Sequence, residues 1–141
     1  MKIFIFFKYF FALLFITTAV GKLLDIPGFA AVIATYQLVP MILHQPLALA
    51  VSLFELFLGL AIITNTRLKF CAYLTIFVHV GYVFLAVTTL IRGLELKNCG
   101  CFGVFLARPL TIQTVVEDCI LLILSIFFLK TTPLSGVQND K

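Results

Sequence analysis

Tryptophan is absent from this chain, and charge is scarce: Asp, Glu, Lys and Arg make up 11% of its 141 residues. A soluble domain carries about 25% charged residues, so a water-facing surface of ordinary extent is excluded. The ten Lys and Arg outnumber the six acidic residues, for a formal net charge of +4. They form no basic run and no basic–aromatic stripe, which argues against nucleic acid as a partner. They stand at the ends of apolar runs, where basic residues mark loops and reach toward headgroups. Internal repeats and low-complexity stretches are missing too. So is any period-two alternation, which leaves helices as the way across lipid.

What fills the chain is apolar. Hydrophobic residues make up 62%, sixteen of them phenylalanine, and the mean hydropathy is +1.18. A helix needs roughly 20 apolar residues to cross a bilayer. Four runs qualify: 3–20, broken only by Lys8, then 46–64, 70–91 and 111–129. The expected fold is an all-α, integral membrane four-helix bundle, one domain over residues 1–130 with membrane lipid as its surroundings. A polar tail, 131–141, holds Pro133 and Gly136 and is expected to fray. The first run also fits a cleaved signal peptide, with Lys2 and Lys8 as the basic start and Ala19-Val20-Gly21 as a small-residue site. The later topology is the same in either case.

Residues 25–40 are too short to span. Pro27 suits a first helical turn and Pro40 a stop. Phe29, Val32, Ile33, Tyr36 and Val39 fall on one helical face. A short helix at the interface, between spans one and two, is expected; packing over the bundle mouth is the other reading. With the N-terminus inside, the inner side holds Lys2, Lys8, Arg67, Lys69, Lys130 and Lys141. The outer side holds Lys22, Arg92, Lys97 and Arg108. This orientation follows the excess of basic residues inside and rests most on the short loop 65–69. It places the loop with Cys99 and Cys101 outside, in an oxidising compartment, the periplasm, if the host is bacterial.

That outer loop carries Lys97-Asn98-Cys99-Gly100-Cys101-Phe102-Gly103. Two cysteines at i and i+2 sit about 7 Å apart in an extended chain, the limit for a disulfide. A turn at Gly100 shortens that. Closing so small a ring removes little unfolded-state entropy, so a stabilising crosslink is a poor account of it. Strained, exposed pairs are the labile and catalytic ones. Arg92, Lys97 and Arg108 lie close in sequence, and positive charge and a helix N-terminus both favour thiolate. A static disulfide or idle thiols are the bland alternative. One Cys-x-Cys with only His44 as a further donor falls short of a zinc site, so no metal centre is expected, although two thiolates suit Cu(I).

Ionisable residues inside spans are costly and become site candidates by default. Glu55 and His79 sit near the middle of spans two and three, close enough in depth for contact. Touching, they would carry protons; the alternative is a hydrogen bond that only fixes packing. Glu117 and Asp118 lie two turns into span four, level with Arg92 and Arg108. An ion pair under the loop is one reading, and a carboxylate that takes protons from the cysteines is the other. Cys119 is either a core filler or a resolving thiol, and Cys71 is structural. Gly59 and Gly81 are expected to let helices approach closely.

Gly21-Lys22, then Asp25, Phe29, Tyr36 and Pro40, then Glu55 with Gly59, then Arg92, then Cys99-Gly100-Cys101-Phe102-Gly103 follow one another over nearly the whole chain. In this order they resemble the MauE family, within the wider DoxX-like four-helix membrane proteins. The resemblance implies a cytoplasmic-membrane bundle tied to methylamine utilisation. It implies a part in disulfide formation or maturation of the periplasmic methylamine dehydrogenase small subunit. The partner is then a periplasmic thioredoxin-like protein or a disulfide-rich client. The family is also similar, more distantly, to vitamin K epoxide reductase-like bundles that couple cysteines to a quinone.

The expected function is therefore thiol–disulfide exchange by Cys99 and Cys101, with Arg92, Glu55, His79, Glu117 and Asp118 in support. No cofactor is certain. The chain has no inner cysteine pair to relay electrons, so a quinone is the economical acceptor. Two rivals remain: a membrane assembly factor whose cysteines form a structural clip, and a Cu(I) handler.

Overall fold

The computed structural model describes residues 1–133. The expected tail lies outside the described residues from position 134 on. Five α-helices follow in order: α1 (Lys2–Leu23), α2 (Ile26–Thr35), α3 (His44–Ile63), α4 (Leu68–Ile91) and α5 (Ile112–Thr131), with a 3-10 turn, Met41–Leu43, leading into α3. Among the described residues there is no strand. α1, α4, α5, and α3 with its leading turn, are long and apolar enough to cross a membrane. The fold is all-α, as expected.

Boundaries differ where local chemistry decides them. α1 runs past Val20 through Gly21 and Lys22 to Leu23. α2 starts because the Asp25 carboxylate accepts the Gly28 N–H at 2.9 Å and Pro27 sits in the first turn. It stops at Thr35, because Gln37 turns left-handed at φ 53°. Val39 is therefore off the helix, while Phe29, Ala30 and Val32 are buried on its inner side. Thr131, read as tail, closes α5; Thr132 is extended ahead of Pro133, as a residue before proline prefers.

The tightest helix pairs are α1 with α3 and α4 with α5; contacts of α3 with α4 and of α1 with α5 complete a ring. α2 lies against α3 at the end where α1 finishes and α3 begins. One apolar cluster fills the end opposite, around Phe11, Phe15, Leu58, Ile62 and Phe128. A second, around Phe29, Tyr36, Ala48, Ala86, Leu96 and Cys99, joins α2 to the 92–111 loop. Outward, Phe57, Phe77, Phe84 and Ile123 are exposed, an apolar belt that suits lipid.

A Cβ at Gly59 would lie 2.8 Å from Ile16 Cγ1 and 3.1 Å from the Ala12 carbonyl oxygen. That glycine lets α1 and α3 meet closely. Gly81 has nothing within 4 Å of such an atom, so the close approach expected there is absent. Gly59→Val should cost about 1–3 kcal/mol through overpacking. Gly81→Ala should change stability by less than about 1 kcal/mol, the size of a helix-propensity gain. Unfolding in mixed detergent followed by circular dichroism separates the two, and equal effects would refute this account of α1–α3 packing.

Candidate functional site

Loop 92–111 is folded by its own hydrogen bonds. Cys99 N–H donates to Arg108 O at 2.8 Å and Leu110 N–H to Leu96 O at 2.9 Å, tying the two arms together. Gly103 N–H donates to Gly100 O at 3.1 Å, closing a turn around Cys101 and Phe102. Gly100 and Gly103 both have φ +75°, a conformation that glycine adopts without steric cost. Asn98 accepts the Gly100 N–H at 2.9 Å and donates to Gly103 O at 3.2 Å. The turn sits directly on the end of α1: a Cβ at Gly103 would lie 2.5 Å from the Gly21 carbonyl oxygen. Tyr36 OH donates to Cys99 O at 2.6 Å, and Arg92 Nη1 to Tyr36 O at 2.8 Å. The residues flanking the cysteines in the sequence pattern thus converge on the loop in space.

The two sulfurs are 3.0 Å apart, with Cys101 donating or accepting an S–H···S contact with Cys99. Cys99 is buried and Cys101 half-buried. The thiol of Cys99 is lowered to about 6, first by the hydrogen bond from Cys101 and, further down, by the Arg108 charge; burial and the Asp118 charge oppose this. Cys101 is pushed up, because its proton is held between the sulfurs and its site is buried. Positive charge was the expected cause. Arg108 supplies a little, and the neighbouring thiol supplies most. Burial also holds Tyr36 well above its usual range, so it stays a donor to Cys99 O.

Beneath the pair lies a cavity of about 70 Å³ whose wall includes both cysteines, Glu55, His79, Tyr82, Arg108, Glu117 and Asp118. The structure thus brings six of the seven expected site residues to one place. Arg92 is the exception; it acts on the loop only through Tyr36. Arg108 Nη2 and Glu117 Oε1 form an exposed ion pair at 2.8 Å. Asp118 is buried in the cavity wall. Cys119 is not part of that wall, and the Cys71 thiol donates to Thr66 O at 3.2 Å near the far end.

Glu55 and His79 do not bond to each other; His79 follows the packing alternative, an interhelical hydrogen bond to Ser125. His79 Nδ1–H is shared between Thr75 O at 2.8 Å and Ser125 Oγ at 3.0 Å, and its ring packs against Phe11 and Phe15. Glu55 pairs instead with Lys22, whose Nζ lies 2.7 Å from both carboxylate oxygens. Lys22 also donates to Tyr82 OH at 3.0 Å, Tyr82 OH donates to Glu55, and Thr18 Oγ1 donates to Glu55 at 3.2 Å. Lys22 is 1% exposed and Glu55 2%. Lys22 was expected to reach outward to headgroups; it turns inward because a carboxylate awaits it. Thr18 and Lys22 sit at i and i+4 on one face of α1, a spacing that could have pointed to a shared partner. Tyr82, one helical turn below Ala86 on α4, carried no signal of its own.

The family model described as "Methylamine utilisation protein MauE" matches residues 1–131. The chain belongs to the MauE family. No curated protein and no solved structure matches it. In this MauE-family chain the four apolar helices fit a multi-pass membrane protein. No group of three or more His, Cys, Asp or Glu among the described residues is placed to hold a metal ion.

Two measurements probe this geometry. Removing one partner of a buried ion pair strands the other charge, at about 3–5 kcal/mol. Lys22→Met and Glu55→Gln should each lose about that much in detergent unfolding, and Lys22→Met with Glu55→Leu should regain most of it. Singles at wild-type stability would show that the pair is not a structural constraint. The second measurement is thiol reactivity against pH. An acid with a lowered value is charged above it and loses that charge as pH falls through it. Alkylation of Cys99 by iodoacetamide should therefore be half-maximal near pH 6. Cys101→Ala, which deletes the hydrogen bond, should move that midpoint upward. A wild-type midpoint at the ordinary thiol value of about 8.5 would contradict the assignment.

Proposed function

We propose that this MauE-family protein carries out thiol–disulfide exchange at the outer, periplasmic face of the cytoplasmic membrane. The observation that carries the reading is the placement of Cys99 and Cys101, 3.0 Å apart at the mouth of a cavity walled by buried ionisable groups. Orientation rests on Arg67 and Lys69, which lie at the end of the bundle opposite the cysteine loop. The client we propose is a disulfide-rich periplasmic protein of amine metabolism, such as the methylamine dehydrogenase small subunit, met directly or through a thioredoxin-fold carrier.

The roles of the two cysteines differ. When the pair is opened, the Arg108 charge favours Cys99 as thiolate, and a better-stabilised thiolate leaves faster. Cys101 is also the more exposed of the two residues. A client thiolate attacks Cys101, the Cys99–Cys101 bond breaks, and Cys99 departs as thiolate. A second client thiol then attacks its own mixed-disulfide sulfur. The client leaves with a new disulfide, and the protein keeps two reduced cysteines.

Trapping tests the assignment. Cys99→Ser leaves Cys101 alone and should accumulate a mixed disulfide with the client, seen on non-reducing gels. Cys101→Ser should accumulate several-fold less. Full client oxidation by the double variant would sink the proposal.

A further inference from the structure

The end of the bundle away from the cysteines carries charge of one sign. Lys2 starts α1, Arg67 and Lys69 flank the start of α4, and Lys130 stands in the last turn of α5. Among the described residues, no Asp or Glu lies at this end. α3 and α4 meet less closely than α1 with α3 or α4 with α5. Between them runs a groove of about 290 Å³, lined almost wholly by apolar side chains. Phe54 and Ala61, two turns apart on α3, give it a length of about 10 Å. Phe57 and Phe70 in its wall are exposed, so it opens sideways onto the apolar belt.

The head of the groove is polar. Thr66 and Arg67, in the turn from α3 to α4, complete its wall. Arg67 is left-handed, at φ 42° and ψ 50°. Asn65, at φ 61° in the same turn, takes such a conformation readily. An arginine enters it at a cost, and strain of this kind gathers at ligand clamps. The guanidinium presents a fork of N–H donors that matches phosphate oxygens, and the Thr66 hydroxyl is next to it in the chain. Free phosphate would meet this fork and leave the apolar slot unfilled. A phosphate that carries an acyl chain fills both. A headgroup with its own ammonium finds only like charges at this end, so a net-anionic one fits better.

We propose that this groove binds an anionic phospholipid, with its phosphate on Arg67 and one acyl chain between α3 and α4. The site lies at the opposite end from the cysteines and does not depend on the chemistry proposed for them. A bound chain would cover the gap that the two helices leave between themselves.

The test uses the full-length protein in detergent, stripped of lipid by exchange, with native mass spectrometry to count what rebinds. Dioleoyl phosphatidylglycerol should bind about fivefold more tightly than dioleoyl phosphatidylcholine, the weight of one basic residue at an anionic surface. Arg67→Gly removes the charge and the strain together, so it should unfold no earlier than wild type and should erase that preference. Lys130→Gln, at the same end but outside the groove wall, should keep it. Equal binding of the two lipids by the wild type would overturn the proposal. So would an equal loss in both variants, which would show diffuse attraction to a basic end. A phosphatidylglycerol with a photoreactive acyl chain should label peptides of α3 and α4 along the groove, a readout that needs no variant to fold. Labelling spread evenly over the four spans would overturn the site.

Discussion

The ion pair of Lys22 with Glu55 is the constraint on which the rest of the structure depends. Neither charge is tolerable alone inside a membrane-spanning bundle. Together they fix α1 against α3, with Thr18 and Tyr82 completing the donors around the carboxylate. The helix backbones can meet because Gly59 removes a side chain where they come closest. With α1 set in this way, its last turn becomes the floor on which the Phe102–Gly103 backbone rests. A buried pairing between the end of α1 and the middle of α3 therefore determines where the cysteine loop sits.

The loop inherits its chemistry from that seat. Two thiols one residue apart are unremarkable in a flexible chain. Here a closed turn, the Tyr36 hydroxyl on Cys99 O and the bonds across to Arg108 hold the sulfurs against each other. One thiol donates and the other is acidified. In the exchange we propose, Cys101 is met first as the more exposed residue, and Cys99 leaves beside the Arg108 charge.

Much of the fold was legible because its signals are long and redundant. Four apolar runs between breakers leave little choice of element or order, and the cysteine loop stood out as polar sequence between them. The partners of the buried charges were harder to read. Glu55 and His79 were placed at similar depth, but depth along a helix says nothing of the face it presents. Rotation about α3 and α4 turned Glu55 to Lys22 and His79 to Ser125. Lys22 was misread because a basic residue at a span end ordinarily points to water, and only the neighbouring helix shows that it does not. Arg92 was read by its charge; its role is to hold the carbonyl of Tyr36.

The contact between Gly21 and Gly103 bears on the order in which the chain acquires its properties. The floor of the loop is made early in the sequence and the loop late. Until the first helix, the short helix after it and the last spans have come together, Cys99 has neither its hydrogen-bonding neighbour fixed nor its carbonyl held. In a half-made chain the two cysteines are ordinary thiols, mostly protonated at neutral pH. Reactivity thus arrives with assembly, so an unfinished copy is a poor target for stray oxidation during its own insertion.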